Sequence, residues 1–374
     1  MMTNPTGSAS IIKERVFAAI RGAIIADAAS MSTHWIYDPN EMMKTVTSIE
    51  APEFREPPAP KYYSSEDYPG HYGSGMLSPY GEQLLFVTEY VASTMTEEFT
   101  GESMSHAMLD WAERFGGRPD EATKTFAKNM KKEDDSGKWP NCGADDDQAH
   151  IYMKIVPLVC RFAGSSELVD KVTQAIKVHQ NNPKAIAFGI VSARILEAVL
   201  LGAPLAEALA TVESNLEKDL ESSSFRKDVV DAFARGKKGG HEITKSNSDI
   251  LLEVSHEVMK GKEDSPFYDL SGRSCALPGS FIGPIALFYK STLVNNKKES
   301  ATDAFISAVR ENILASGDTC SRGVFVGAVM AAAGTPADAT GHGIIPSEWV
   351  KKADQDTMKK VEHAAETITK HIAY

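Results

Sequence analysis

Cysteine is scarce. The 374 residues hold only Cys142, Cys160, Cys275 and Cys320, widely spaced and with no CxxC pair. That pattern excludes a small disulfide framework and fits a reducing, cytoplasmic setting. Basic charge is in deficit, with 39 Lys and Arg against 51 Asp and Glu and a net charge of −12. The deficit argues against nonspecific binding to nucleic acid or an anionic membrane, and any anionic ligand then needs a locally positive pocket. No uninterrupted apolar run reaches the roughly 18 residues of a membrane span. The opening Met1-Met2-Thr3-Asn4-Pro5 lacks the apolar run of a secretory signal. Sustained period-two alternation is also missing, so strands are few or absent.

What is present is helical periodicity. Apolar residues make up 42% of the chain and charged residues 24%, the balance of a globular protein with a sizeable core. Ile12, Val16, Ile20 and Ile24 step by four along one helix face. Asn182-Pro183 supplies an N-cap and a first helical position for an all-round apolar helix running from Ala185 to Leu201. Gly202 stops it, and Pro204 opens another with Leu205, Leu209, Val212 and Leu216 on one stripe. Met358, Val361, Ala365, Ile368 and Ile372 repeat the spacing near the end. The fold class read from this is all-α.

Two polar interruptions break the pattern. Residues 50–81 carry Pro52, Pro57, Pro58, Pro60, Pro69 and Pro79 with Tyr62, Tyr63, Tyr68, Tyr72 and Tyr80. So many prolines exclude a regular helix, and an ordered loop of that length is often functional. Its tyrosines could stack on an adenine ring or simply anchor the loop. Residues 131–148 include the acidic run Asp145-Asp146-Asp147. Helices of one character flank both segments, so neither reads as a domain linker. The expectation is one domain over 1–374, with its core at about 12–350 and a C-terminal helix at 350–373.

Four segments in order resemble the ADP-ribosylglycohydrolase family. They are Arg21-Gly22-Ala23-Ile24-Ile25-Ala26-Asp27-Ala28; Met153-Lys154-Ile155-Val156-Pro157-Leu158; Ala276-Leu277-Pro278-Gly279-Ser280; and Gly317-Asp318-Thr319-Cys320-Ser321 with the small-residue helix after it. The resemblance implies a compact orthogonal multi-helix bundle. Loops after the first helix, near residue 80, near residue 145 and at Gly317 should meet at one cleft. It also implies a hydrolase of ADP-ribosyl N- or O-glycosidic bonds using two magnesium ions held between an early and a late acidic cluster. Hard divalent cations need several converging oxygen ligands, and they would polarise the bond and orient a water.

This chain departs from that pattern. Where the early cluster aligns, Pro79-Tyr80-Gly81-Glu82-Gln83-Leu84 has lost both aspartates and offers Glu82 as a neighbouring substitute. The late cluster keeps Asp318 and Ser321 but has Cys320 in place of the second aspartate. Thiolate is a poor ligand for magnesium. The residual ligands would be Asp318, Ser321 and Glu82, so the cofactor expectation is none, or a weakly bound Mg2+. His34-Trp35-Ile36-Tyr37-Asp38 and Cys320-Ser321-Arg322 look closest to the J-crystallin and selenoprotein J branch of the family, which implies a structural, crystallin-like role.

Single residues keep two readings each. Asp318 follows a glycine at a helix start, where it could be an N-cap or a cation ligand and catalytic acid. Glu82 reads as a first-turn acid on a helix from Gln83 to Val91. Cys320 is either a packing residue or a catalytic thiol, activated by a helix beginning near Arg322 and by that arginine. Tyr80, Asp147 and Gly317 are the candidate contacts to an ADP-ribose-like small molecule, although three successive acids would repel a diphosphate. His34 and Trp35 read as core packing. Three functions follow: a crystallin-like or ligand-binding protein without the dimagnesium site, a hydrolase with a reduced metal site, or a thiol-dependent enzyme using Cys320.

Overall fold

The computed structural model describes residues 9–46, 48–55, 63–94, 96–242, 275–294, 300–335 and 343–372. Among them the regular structure is helical, and β-pairing is confined to three isolated bridges, Ile36 with Gly317, Ala144 with Gln180 and Gln148 with Ala276. The chain is all-α, as the periodicity predicts.

Two helices form its axis. In Ala9–Ser30 the four-step residues Ile12, Val16, Ile20 and Ile24 are buried, and from Gly22 onward every residue is. Thr319–Gly334 is buried continuously from Thr319 to Ala332. The two cross where glycine meets glycine. A Cβ on Gly22 would lie 2.5 Å from the Gly327 carbonyl, and one on Gly327 would lie 2.3 Å from the Gly22 carbonyl. Missing side chains let the backbones approach to a distance no other residue permits. The Ala9–Thr33 stretch has the length and composition to cross a membrane, but 83% of its most apolar window is buried, as in a core helix.

Around this axis pack Pro79–Ser93, Ile151–Phe162, Pro183–Leu200, Gly279–Val294 and Ala301–Leu314. The expected cap holds at Asn182, whose side chain accepts from the backbone of Lys184 and Ala185, with Pro183 at the first helical position. Gly202 ends that helix at φ 114°. Leu205–Asp219 follows with its predicted stripe buried. Gln355–Lys370 closes the chain against the first helix and Pro79–Ser93, burying Met358, Val361, Ala365 and Ile368.

Two helix starts differ from the expectation, and both differences matter. Pro79 sits at the first helical position rather than in the loop, because a missing N–H costs nothing there. Ser78 caps it by accepting from Tyr80 and Gly81. The second helix begins at Thr319, not near Arg322, which draws Cys320 and Ser321 into its first turn. The preceding loop is anchored by its aromatics, with Tyr63 and Tyr72 buried. Tyr62, Pro57, Pro58 and Pro60 lie outside the described residues.

Candidate functional site

The site begins with a carboxylate inside an apolar helix. Asp27 is fully buried among Ile24, Ile25, Ala28 and Ala29. It accepts from Ser78 twice, at 2.8 Å from the backbone N–H and at 2.5 Å from the hydroxyl. The Gly81 N–H donates to the same Ser78 hydroxyl at 3.2 Å, and the Cys320 thiol donates to the Asp27 backbone carbonyl at 3.7 Å. The first helix thereby supplies the anion at the N-terminus of Pro79–Ser93, where unpaired N–H groups favour negative charge. A Cβ on Gly81 would lie 2.1 Å from Asp27 Oδ2, so only glycine allows the approach. Burial outweighs these bonds and raises the Asp27 carboxyl to about 6.

Asp318 lies across Cys320 from it. It occupies the N-cap position, but its side chain makes no cap bond. Instead Ser321 Oγ donates to Asp318 Oδ2. Asp318 Oδ1 faces His34 Nε2 at 3.4 Å. The Cys320 N–H donates to His34 Nδ1 at 3.3 Å, which assigns the neutral ring's proton to Nε2, toward Asp318. Burial raises Asp318 to about 6 against the opposing Ser321 bond, and burial likewise holds His34 well below its ordinary value. Gly317 is a backbone tie. Its N–H donates to Ile36 O at 2.6 Å and its carbonyl accepts from Trp35 N–H at 2.7 Å. Ser316 and Gly317 both have positive φ, 63° and 69°, and Arg322 supports this turn by donating to Ser316 O at 2.6 Å and to Asn312 Oδ1 at 3.1 Å.

Cys320 answers the sequence expectation in the opposite direction. Its side chain is fully buried, and burial, then the neighbouring Asp27, push the thiol well above its ordinary value. The helix terminus does not activate it, because its own N–H bonds His34 and the guanidinium of Arg322 is turned to Asn312 and Ser316. Burial and two neighbouring carboxyls disfavour the thiolate that a nucleophile needs.

Glu82 has separate partners. Burial carries its carboxyl to about 7 against the pairing of Oε1 with His71 Nδ1, and its Oε2 is buried without a hydrogen bond. Its bonded partners are not those of Asp318. The ring contacts joining the two run from His34 through Tyr63 to Tyr72, at 6.2 and 4.6 Å. Tyr80 is central, with its ring 5.4 Å from His34 and 5.0 Å from His150. Asp147 pairs with Lys184 Nζ at 2.8 Å. No trio of His, Cys, Asp or Glu side chains among the described residues has the arrangement of a metal site.

Sequence reasoning passed over a second buried cluster beyond Tyr80. Lys154 and His179 are fully buried, and His150 is nearly so. Lys154 Nζ donates to Gln83 Oε1, to His150 O at 3.0 Å and to His179 Nδ1 at 2.9 Å. Asp120 stands 3.5 Å from His179 and 3.8 Å from His150. Burial opposes ionisation of Asp120, but the imidazoles of His150 and His179 together with the Thr123 N–H outweigh it and hold the carboxyl well below the carboxylate range. Burial lowers Lys154 to about 7 and both histidines to about 4. One signal was legible: Lys154 interrupts the otherwise apolar run from Ile151 to Val159, and an unexplained charge there asks for partners. Asp27 carried the same signal within Ile24 to Ala29.

Comparison with known proteins bears on this arrangement. The family model described as ADP-ribosylglycohydrolase matches residues 8–373. Crystallin J1A of Tripedalia cystophora is 26% identical over 359 residues, covering 92% of this chain and 93% of the crystallin. Crystallin J1B of the same animal is 25% identical over 362 residues, covering 92% and 94%. A solved structure titled ADP-ribosylglycohydrolase-related protein complex superposes with a TM-score of 0.62 at 16% identity, over 97% of this chain and all of that one. That last likeness speaks to the fold alone.

Proposed function

Because the chain belongs to the ADP-ribosylglycohydrolase family, we propose that it is a crystallin-J-like member that keeps the family's fold but not its dimagnesium centre. Its role on this reading is structural, as the name of its crystallin relatives suggests. The observation that carries the proposal is where the carboxylate oxygens point. Both oxygens of Asp27 are bonded to Ser78 and Asp318 Oδ2 to Ser321, all without exposure to solvent, while Asp318 Oδ1 stands buried with no hydrogen bond, 3.4 Å from His34 Nε2. Magnesium would have to displace these bonds and gather several oxygens at octahedral spacing. Cys320 adds a thiol of raised pKa where an oxygen ligand would be needed. Glu82 Oε1 is engaged elsewhere, by His71 Nδ1. These acids serve the packing of three helices. The setting proposed is cytoplasmic, in keeping with four free cysteines. The net charge of −12 fits a protein without nucleic-acid or membrane partners.

Calorimetric titration with Mg2+, alone and with ADP-ribose as the family's ligand class, tests the reading. Weak Mg2+ binding and no thermal stabilisation by millimolar Mg2+ are expected, since a ligand stabilises only in proportion to its affinity for the folded state. Two tight magnesium sites, or turnover of ADP-ribosylated serine or arginine, would restore the hydrolase.

A further inference from the structure

The second cluster has a property that no functional reading above uses. Its hydrogen bonds form one chain of consistent polarity. An ammonium has three donors and no acceptor, so the contact of Lys154 Nζ with His179 Nδ1 at 2.9 Å must run from lysine to histidine. A neutral His179 then carries its proton on Nε2, which lies 2.9 Å from Thr123 Oγ1. The threonine hydroxyl, receiving there, donates at 3.0 Å to Asp120 Oδ2. Every link is a hydrogen bond, and each intermediate group receives on one side and donates on the other. Lys154 is fully buried, whereas the Asp120 side chain is 19% exposed.

We propose that Lys154, His179, Thr123 and Asp120 form a proton relay connecting the buried amine beneath Tyr80 and His150 to solvent at Asp120. The step balances with one proton moved per link. Lys154 gives a proton to His179 Nδ1, His179 gives its Nε2 proton to Thr123 Oγ1, and the hydroxyl proton of Thr123 passes to Asp120. The products are a neutral amine and a neutral carboxylic acid, with every hydrogen bond reversed and none lost. Asp120 then releases its proton to water, so the amine discharges without the surrounding helices opening. The groups facing Lys154 from its neighbours are His179 on Leu168–His179, Gln83 on Pro79–Ser93, and His150, Asp146 and Asp120 from the segments before their helices. With the amine near 7, both of its states are populated around neutrality. Lys154 holds Gln83 and the His150 backbone, so the relay sets how fast the charge beneath the rings of the candidate site can change.

The test is side-chain hydrogen exchange of Lys154 Nζ, followed by NMR on protein labelled with 15N-lysine, alongside backbone amide exchange in Ile151–Phe162. Thr123→Val removes the middle link at nearly constant volume, and Thr123→Ser restores it. The relay predicts that Lys154 exchange slows by at least about tenfold in T123V, recovers in T123S, and is faster than the backbone amides in the native chain. Asp120→Asn, which keeps the shape but cannot take up the proton, should slow it as well. That second variant decides the matter if T123V fails to fold. Unchanged exchange in the folded variants, or Lys154 exchange at the rate of the surrounding amides, would overturn the relay in favour of simple opening.

Discussion

At the scale of single residues, burial governs the chemistry of the three site acids more than their neighbours do. Asp27, Asp318 and Glu82 all accept hydrogen bonds, yet each has a carboxyl raised by removal from water, to about 6, 6 and 7. The consequence for stability has a definite sign. A carboxyl whose folded pKa exceeds its unfolded value stabilises the fold below the unfolded pKa, and that contribution is lost as pH rises through the folded one. For Asp27 the window runs from about 4 to about 6. Asp27→Asn should remove a pH-dependent loss on the order of 3 kcal/mol between those limits. Urea denaturation at pH 4 and pH 8 would show it as a smaller pH difference in the variant than in the native chain. The comparison has to be between the two proteins, because His150 and His179 act oppositely. Their pKa values are depressed, so their contribution is present above about 6.5 and lost as pH falls toward 4. A second expectation concerns the thiols. Cys275 is half-buried while Cys142, Cys160 and Cys320 are buried. Limiting iodoacetamide on the native protein should label Cys275 first, and preferential labelling of Cys320 would contradict the suppression of its thiolate.

At the scale of elements, the site exists because helices approach unusually closely. Glycine at 22 and 327 lets Ala9–Ser30 and Thr319–Gly334 cross at backbone contact, and Gly81 lets Asp27 reach the start of a third helix. Gly327→Leu forces a side chain into the Gly22 carbonyl and the Ala26 methyl. It should destabilise by about 3 kcal/mol or more, read as a lower urea midpoint, since the obstruction on one side is backbone that cannot rotate away. Gly70 lies at φ 86° with nothing within 4 Å of the place a Cβ would take, so an alanine there strains only its own backbone. The smaller loss expected in Gly70→Ala makes it the control that separates helix crossing from turn conformation.

For the whole molecule, the last helix completes the core. Gln355–Lys370 covers the first helix and Pro79–Ser93, the two elements that hold Asp27 and its cap. Asp354 ties its start to the loop through a backbone bond to Gly75 O at 2.9 Å. A chain ending before Gln355 would expose Val361, Ala365 and Ile368 together with the surfaces they cover. It should lose cooperative unfolding by circular dichroism, whereas removal of a dispensable appendage would leave the transition unchanged.

Periodicity alone determined the helical class, the cap at Asn182, the break at Gly202 and the buried stripes of the first and last helices. These follow from interactions within a few residues, which a linear pattern records. Four segments in order, residues 21–28, 153–158, 276–280 and 317–321, together carried the resemblance to the family. Tertiary structure decided what the site residues do. Cys320 read as a thiol at an activating helix end until the fold removed it from water and gave its N–H to His34, almost three hundred residues away in sequence. Asp27 read as part of a motif until Ser78 and Gly81 were brought to it. Lys154 found His179 and, through Thr123, Asp120 only when three helices met. A protonation state depends on solvent access and on partners distant along the chain, and neither is written in local spacing.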